Sequence, residues 1–174
     1  KDLNAKQVKG LPKLPKLANI KWSPDQTKIA MTHSTNEGVE LWYIDLGSLT
    51  AKRLTGPKLN ASLGDVLTWY QDSKYILAKF KLKNPPEILN NDDITPIGPI
   101  ISSNDGKKAQ NTTYQDLLKN EIDEKNFETL ISSTIAKVSL KGKIKLLVNK
   151  NLYNKIDFSP DGKFILISII QKPF

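Results

Sequence analysis

There is no cysteine in this chain, and only one histidine and one arginine. Without cysteine there can be no disulfide, thiol nucleophile or thiolate metal site. The compartment stays open, because an oxidising one permits disulfides without requiring them. The lone histidine, His33, closes a predicted strand and reads as a structural or surface residue rather than a catalytic base. No Gly-x-Ser-x-Gly elbow is present to carry a hydrolase nucleophile. Phosphate-cradling and dinucleotide-binding glycine patterns are missing too. No apolar run approaches the roughly 20 residues of a membrane helix. The expectation is therefore a chain with no catalytic, cofactor-binding or metal residue, no cofactor and no membrane span. Nothing in the sequence marks a substrate-binding residue.

What is abundant is lysine. The net charge is +8, from 26 basic and 18 acidic residues, and every basic residue except Arg53 is lysine. A nucleic-acid reader would use arginine, whose planar fork binds phosphate and guanine through two bonds. Scattered lysines read instead as a solvated basic surface with no nucleic-acid partner, ahead of a polyanion-binding module. Lys79, Lys81 and Lys83 alternate, which suggests a solvent face or a guarded sheet edge. Asp92 and Asp93 read as a solvated turn, ahead of weak cation binding. Asn60-Ala61-Ser62 and Asn111-Thr112-Thr113 match the glycosylation triplet, which matters only in a host that glycosylates.

One phrase occurs three times: Trp22-Ser23-Pro24-Asp25, Trp69-Tyr70-Gln71-Asp72 and Phe158-Ser159-Pro160-Asp161. Each copy stands between two short runs of strand character. An aromatic ends one strand, a tight turn reverses the chain, and a second strand leaves. An all-β unit used repeatedly points first to a propeller. The fourth turn position is glycine in the last copy, Gly162, where positive φ is expected. Gln26 stands there in the first copy and should cost roughly 1–2 kcal/mol relative to glycine. Trp22 and Trp69 are expected to pack in the core between strands. Trp42 has the opposite parity to Leu41 and Tyr43 and should face a neighbouring blade.

The chain therefore reads as all-β: a partial β-propeller of about two and a half antiparallel blades, with a loop-plus-helix insertion. Residues 1–17 form an approach segment in which 7–10 could close a strand, and 18–174 form the partial propeller. Blade one covers 18–55, with strands Asn19 to Trp22, Thr27 to His33, Val39 to Ile44 and Ala51 to Thr55. Blade two covers 65–148, with an insertion at 84–130. Residues 84–112 are crowded with turn formers and read as a long loop, expected to be mobile and the first target of a protease. A helix should start at Thr113, break near Asn120 and resume toward Leu130, packing Leu117, Leu118 and Ile122 on the sheet. Strand character resumes from Ile131 to Leu140, and blade three starts at 152–174. Two and a half blades cannot close a ring of four to eight. The chain thus reads as a piece of a longer protein or as an unusual open sheet, and its open faces should favour self-association. A start at Lys-Asp-Leu, without methionine, also reads as a cut or processed piece.

Several segments carry a family resemblance: Val8 to Pro12, Asn19 to Asp25, Gly38 to Trp42, Ala51 to Ala61, Lys107-Lys108-Ala109, Thr113 to Asn120 and Lys172-Pro173-Phe174. Together they resemble the N-terminal propeller of the prolyl oligopeptidase family, in particular its glutamyl endopeptidase-like and acylaminoacyl peptidase-like members. The insertion phrase is the specific part, because many propellers use the Ser-Pro-Asp turn. The resemblance implies a two-domain serine peptidase. A C-terminal α/β-hydrolase domain would carry the Ser, Asp and His, none of which maps onto this sequence. The propeller would gate the access of peptide substrates and contact the hydrolase domain. A periplasmic or secreted location in a bacterium goes with this reading. Gln26 for the usual glycine, and Tyr70-Gln71 for Ser-Pro, depart from the pattern. The alternative is a periplasmic propeller scaffold of the Tol type, binding proteins with no peptidase attached.

Overall fold

A computed structural model describes residues 5–90, 106, 118 and 120–174. The strands are β1 (Leu17–Trp22), β2 (Lys28–Thr35), β3 (Gly38–Asp45), β4 (Thr50–Arg53), β5 (Leu67–Trp69), β6 (Tyr75–Lys81), β7 (Ser133–Ser139), β8 (Ile144–Asn151), β9 (Tyr153–Phe158) and β10 (Ile165–Ile169). Among the described residues one helix, α1 (Glu121–Ile131), stands between β6 and β7. The strands form antiparallel sheets in the orders β1-β2-β3-β4, β5-β6-β7-β8 and β9-β10. This is the all-β, partial-propeller architecture. The insertion does separate β6 from β7 in sequence, yet the two pair without a break from Tyr75–Ser139 to Lys81–Ser133.

The repeated phrase makes the same turn three times. Trp22, Trp69 and Phe158 end β1, β5 and β9 and pair with Ile29, Ile76 and Ile165. Gln26, Ser73 and Gly162 donate their backbone N–H to the carbonyls of Ser23, Tyr70 and Ser159, at 2.8, 3.0 and 2.8 Å. An aspartate braces each turn by accepting from the backbone N–H of Thr27, Lys74 or Lys163, at 3.0, 2.9 and 3.1 Å. Hydrogen bonds from Ser23 and then Thr27 hold the Asp25 carboxyl far below its ordinary pKa, and those from Ser159 and Lys163 lower that of Asp161. All three fourth positions are left-handed, with φ of 57°, 55° and 70°. Glycine fits that geometry freely; Gln26 and Ser73 adopt it under strain.

Strand parity gives each sheet two apolar faces. Ala30, Leu41 and Tyr43 of the first sheet meet Leu67, Trp69, Ile76, Ala78, Phe80, Ala136 and Val138 of the second in the main core. The opposite face of the second sheet, with Leu77 and Ile135, packs on Tyr153, Ile156, Phe158 and Ile167 of the third. Side chains alternate across a strand, so β6 supplies residues to both interfaces. At Gly64 (φ +60°), an added Cβ would collide with the Asn154 carbonyl, so only glycine lets β9 come this close.

Several expectations are corrected. Trp22 is 60% exposed, whereas its counterpart Trp69 is 5% exposed. Trp69 has the first sheet to pack on; no sheet among the described residues covers the face that carries Trp22. Trp42 lies on that same outer face, with Met31, Ile44 and Ala51, where among the described residues Val8 and Leu11 of the approach segment also pack. Residues 7–10 form no strand; Lys9 makes a single parallel bridge to Thr50. Lys79 is not on a solvent face but buried, 1% exposed, while Lys81 and Lys83 are exposed. Helix α1 is capped by Asn120, whose Oδ1 accepts from the N–H groups of Ile122 and Asp123 at 2.9 Å, as asparagine favours. Ile131 is its last turn rather than the start of a strand, and is its buried residue. Ile122 and Leu118 are half-buried. The Thr113 start, Leu117, the Asp92-Asp93 pair, Asn111 and most of the 84–112 loop lie outside the described residues.

The turn geometry yields a paired test. Replacing Gln26→Gly should raise stability by about 0.5–1 kcal/mol, relief of left-handed strain less the added unfolded-state entropy. Ser73→Gly should not, because the buried Ser73 Oγ accepts from the Asp25 N–H at 3.1 Å and that link would be lost. Urea unfolding of both variants reads the difference. Equal stabilisation by both would show that the Ser73–Asp25 hydrogen bond contributes nothing.

Candidate functional site

The three first strands, β1, β5 and β9, converge side by side, as the innermost strands of propeller blades do around a central channel. Their contacts are specific. Trp69 Nε1 donates to the Lys21 carbonyl at 2.9 Å. Asp65, just before β5, reaches both neighbours. Its Oδ1 lies 3.6 Å from Lys21 Nζ, its Oδ2 accepts from the Ile156 N–H at 3.4 Å, and its own N–H donates to the Asn154 carbonyl at 2.8 Å. Tyr70 and Phe158 pack as a tilted pair, with ring centroids 4.6 Å apart and planes at 54°.

At the turn end of these strands lies a shallow recess lined by Lys21, Trp22, Thr68, Trp69, Asp157 and Phe158, among others. It offers an ammonium, a carboxylate, a hydroxyl and exposed indole. Such a set can hold a polar, extended chain by charge and stacking. It does not place a nucleophile beside a base. No group of three metal-ligating side chains occurs among the described residues.

Behind the strands, Lys79 bolts the second sheet to the third. Its Nζ donates to the Tyr153 carbonyl at 3.0 Å and to the Leu63 carbonyl. No carboxylate among the described residues bonds it directly. Burial therefore dominates and lowers its pKa to about 8, against a weaker opposing pull from Asp65. The alternation of Lys79, Lys81 and Lys83 conceals this role in the sequence, because a lysine among strand residues carries no mark of its burial.

His33 is buried and T-shaped against Trp42, with its Nδ1 3.4 Å from Glu40 Oε2. Glu40 also accepts from Trp42 Nε1 at 2.8 Å and from Arg53 Nη1 at 3.0 Å. Burial opposes the charge on Glu40, but the hydrogen bonds from Trp42, Arg53 and His33 outweigh it and hold the carboxyl below its ordinary pKa. The histidine is thus committed to packing the outer face of the first sheet. Asn60 of the first triplet is buried, donating to the carbonyls of Leu130 and Ser132 at 3.0 and 2.9 Å. It anchors the end of α1 and is closed to glycosylation.

No family model matches the chain. Two curated plant proteins do. The probable chloroplastic glutamyl endopeptidase of Oryza sativa subsp. japonica is 30% identical over 181 residues, covering 97% of this chain and 19% of that protein. Its namesake from Arabidopsis thaliana is 28% identical over 180 residues, covering 97% and 18%. Over nearly its whole length the chain is similar to these two glutamyl endopeptidases. It spans about a fifth of the length of the curated relatives it matches. A solved prolyl endopeptidase overlays on 90% of this chain, and on 19% of its own chain, with a TM-score of 0.54 at 16% identity, a likeness of fold. Among the described residues no helix is long and apolar enough to cross a membrane.

Lys79 gives a pH test. Its folded pKa of about 8 lies below the 10.5 of an unperturbed lysine. The unfolded chain therefore holds more protons between those values, and stability from this group rises with pH across that window. The stability of the native sequence relative to a Lys79→Met variant should increase from pH 8 toward pH 10.5 in urea unfolding. A difference that stays flat would show that Lys79 is not buried as described.

Proposed function

We propose that this chain is the non-catalytic propeller portion of a prolyl oligopeptidase-family serine peptidase, gating peptide access to a C-terminal α/β-hydrolase domain encoded in further sequence. The observation that carries the reading is the unequal fate of two equivalent tryptophans. Trp69 is buried and gives its Nε1–H to the inner strand of the preceding blade; Trp22 occupies the same register and stands 60% exposed. A further blade on that side would cover Trp22 and supply the missing acceptor. The far side of the third sheet is equally bare, with Leu166 65% exposed.

In this reading the converging strands line part of the channel through which peptides reach the hydrolase domain. The partners are that domain and the peptide substrates. The isolated chain self-associates through its bare faces, and a periplasmic or secreted bacterial location belongs to the same proposal. Support comes from the glutamyl endopeptidase relatives and from the lack of a Gly-x-Ser-x-Gly elbow in these 174 residues. A serine-directed fluorophosphonate is the direct probe. It should label a serine of the full-length protein beyond this sequence and leave the 174-residue chain unlabelled. Stoichiometric labelling of this chain would overturn the proposal. A full-length protein that ends after its last blade and stays unlabelled would return the function to the Tol-type scaffold.

A further inference from the structure

We propose that the outer edge of β8 is a docking site for an acidic, apolar extended polypeptide, which adds to the second sheet as a fifth strand. This is independent of the peptidase reading. Three observations carry it. The first is the open edge. β8 is eight residues long and ends the order β5-β6-β7-β8, with no strand beyond it among the described residues. The corresponding strand of the first sheet, β4, has only four residues, and there the approach segment occupies the edge. Ala51 donates to the Lys9 carbonyl at 2.8 Å and Lys9 to the Leu49 carbonyl at 2.9 Å. The fold thus already shows an extended segment lying on one outer strand. An exposed row of backbone donors and acceptors is a template for another chain.

The second observation is the side chains. Ile144, Leu146 and Leu147 are 48%, 55% and 39% exposed. Edges that only avoid aggregation carry lysine, proline or bulges. β8 does carry lysines, and its register with β7 shifts between Ile135 and Ala136. Large aliphatic side chains in the same strand serve no such avoidance; they add buried area to a strand that docks.

The third is charge. Between Glu128 and Asp157 the sequence holds Lys137, Lys141, Lys143, Lys145, Lys150 and Lys155 and no acidic residue. Five of these are exposed; Lys137 instead lies over the rings of Tyr70 and Tyr75, with Nζ 4.4 and 3.7 Å from their centroids. A second copy of β8 would bring lysine against lysine, so the edge rejects itself. An acidic strand matches it, with alternate carboxylates on the lysines and alternate apolar residues on the aliphatics. A nucleic acid would satisfy the lysines but leave the aliphatics uncovered.

The test uses the 174-residue chain and three fluorescent ligands: a ten-residue peptide alternating glutamate and valine, one alternating glutamate and serine, and heparin. The Glu-Val peptide should bind most tightly, protect the β8 amides from hydrogen exchange, and weaken as salt rises. Lys143→Glu with Lys145→Glu should reduce its affinity about tenfold, as expected for reversing two exposed charge contacts. Leu146→Ser should weaken it while leaving heparin unaffected. Equal binding of the two peptides, or tighter binding of heparin without β8 protection, would overturn the proposal in favour of a general polyanion surface. Protection that appears elsewhere and spares β8 would overturn it as well.

Discussion

One sheet lying on the next through a directed, repeated interface is the constraint on which the rest of this molecule depends. At each step an aromatic at the end of an inner strand packs toward the preceding sheet. For Trp69 the contact is also polar, since its Nε1–H finds the Lys21 carbonyl. A buried indole needs such an acceptor. Each sheet therefore has to present apolar residues on both faces, and an antiparallel sheet with two buried faces is stable only between neighbours. This explains why the middle sheet is the best ordered in burial, with Leu67, Ile76, Leu77, Ala78 and Ile135 all closed to solvent. Each terminal sheet has one face that no neighbouring sheet among the described residues covers.

Much of the fold was legible in the sequence because the repeat carries its own local chemistry. Ser23-Pro24-Asp25 and Ser159-Pro160-Asp161 specify a turn through proline geometry and an aspartate acceptor, and the same turn forms even where Tyr70-Gln71 replaces Ser-Pro. The left-handed conformation of Gln26 follows from its alignment with Gly162. Asn120 marks where α1 begins because its side chain can take two orphan N–H groups. These are interactions within a few residues of one another.

What was hidden depends on long-range placement. The fates of Trp22 and Trp69 are set by which neighbouring sheet is present, a fact that no local pattern contains. Lys79 reads as a surface lysine because its neighbours in the alternation are surface lysines. Its burial comes with the approach of β9, whose Tyr153 carbonyl, 74 residues away, accepts from its ammonium. Asn60 looked like a modification triplet, but it joins the loop after the first sheet to the end of α1, 70 residues on. The recess near Lys21 and Asp157 likewise exists only once three sheets converge. None of its residues stands out by type, and the channel reading comes from topology rather than from motif.

The central claim is that Trp22 and Trp69 hold equivalent positions in one repeating interface, one filled and one open. Acrylamide quenching of single-tryptophan versions measures this directly, with the other two tryptophans replaced by phenylalanine. In the 174-residue chain kept dilute enough to be monomeric, Trp22 should be readily quenched and Trp69 protected. In the full-length protein both should be protected. A Trp22 as accessible there as in the 174-residue chain, with Trp69 still shielded, would contradict the account that another blade packs against this face.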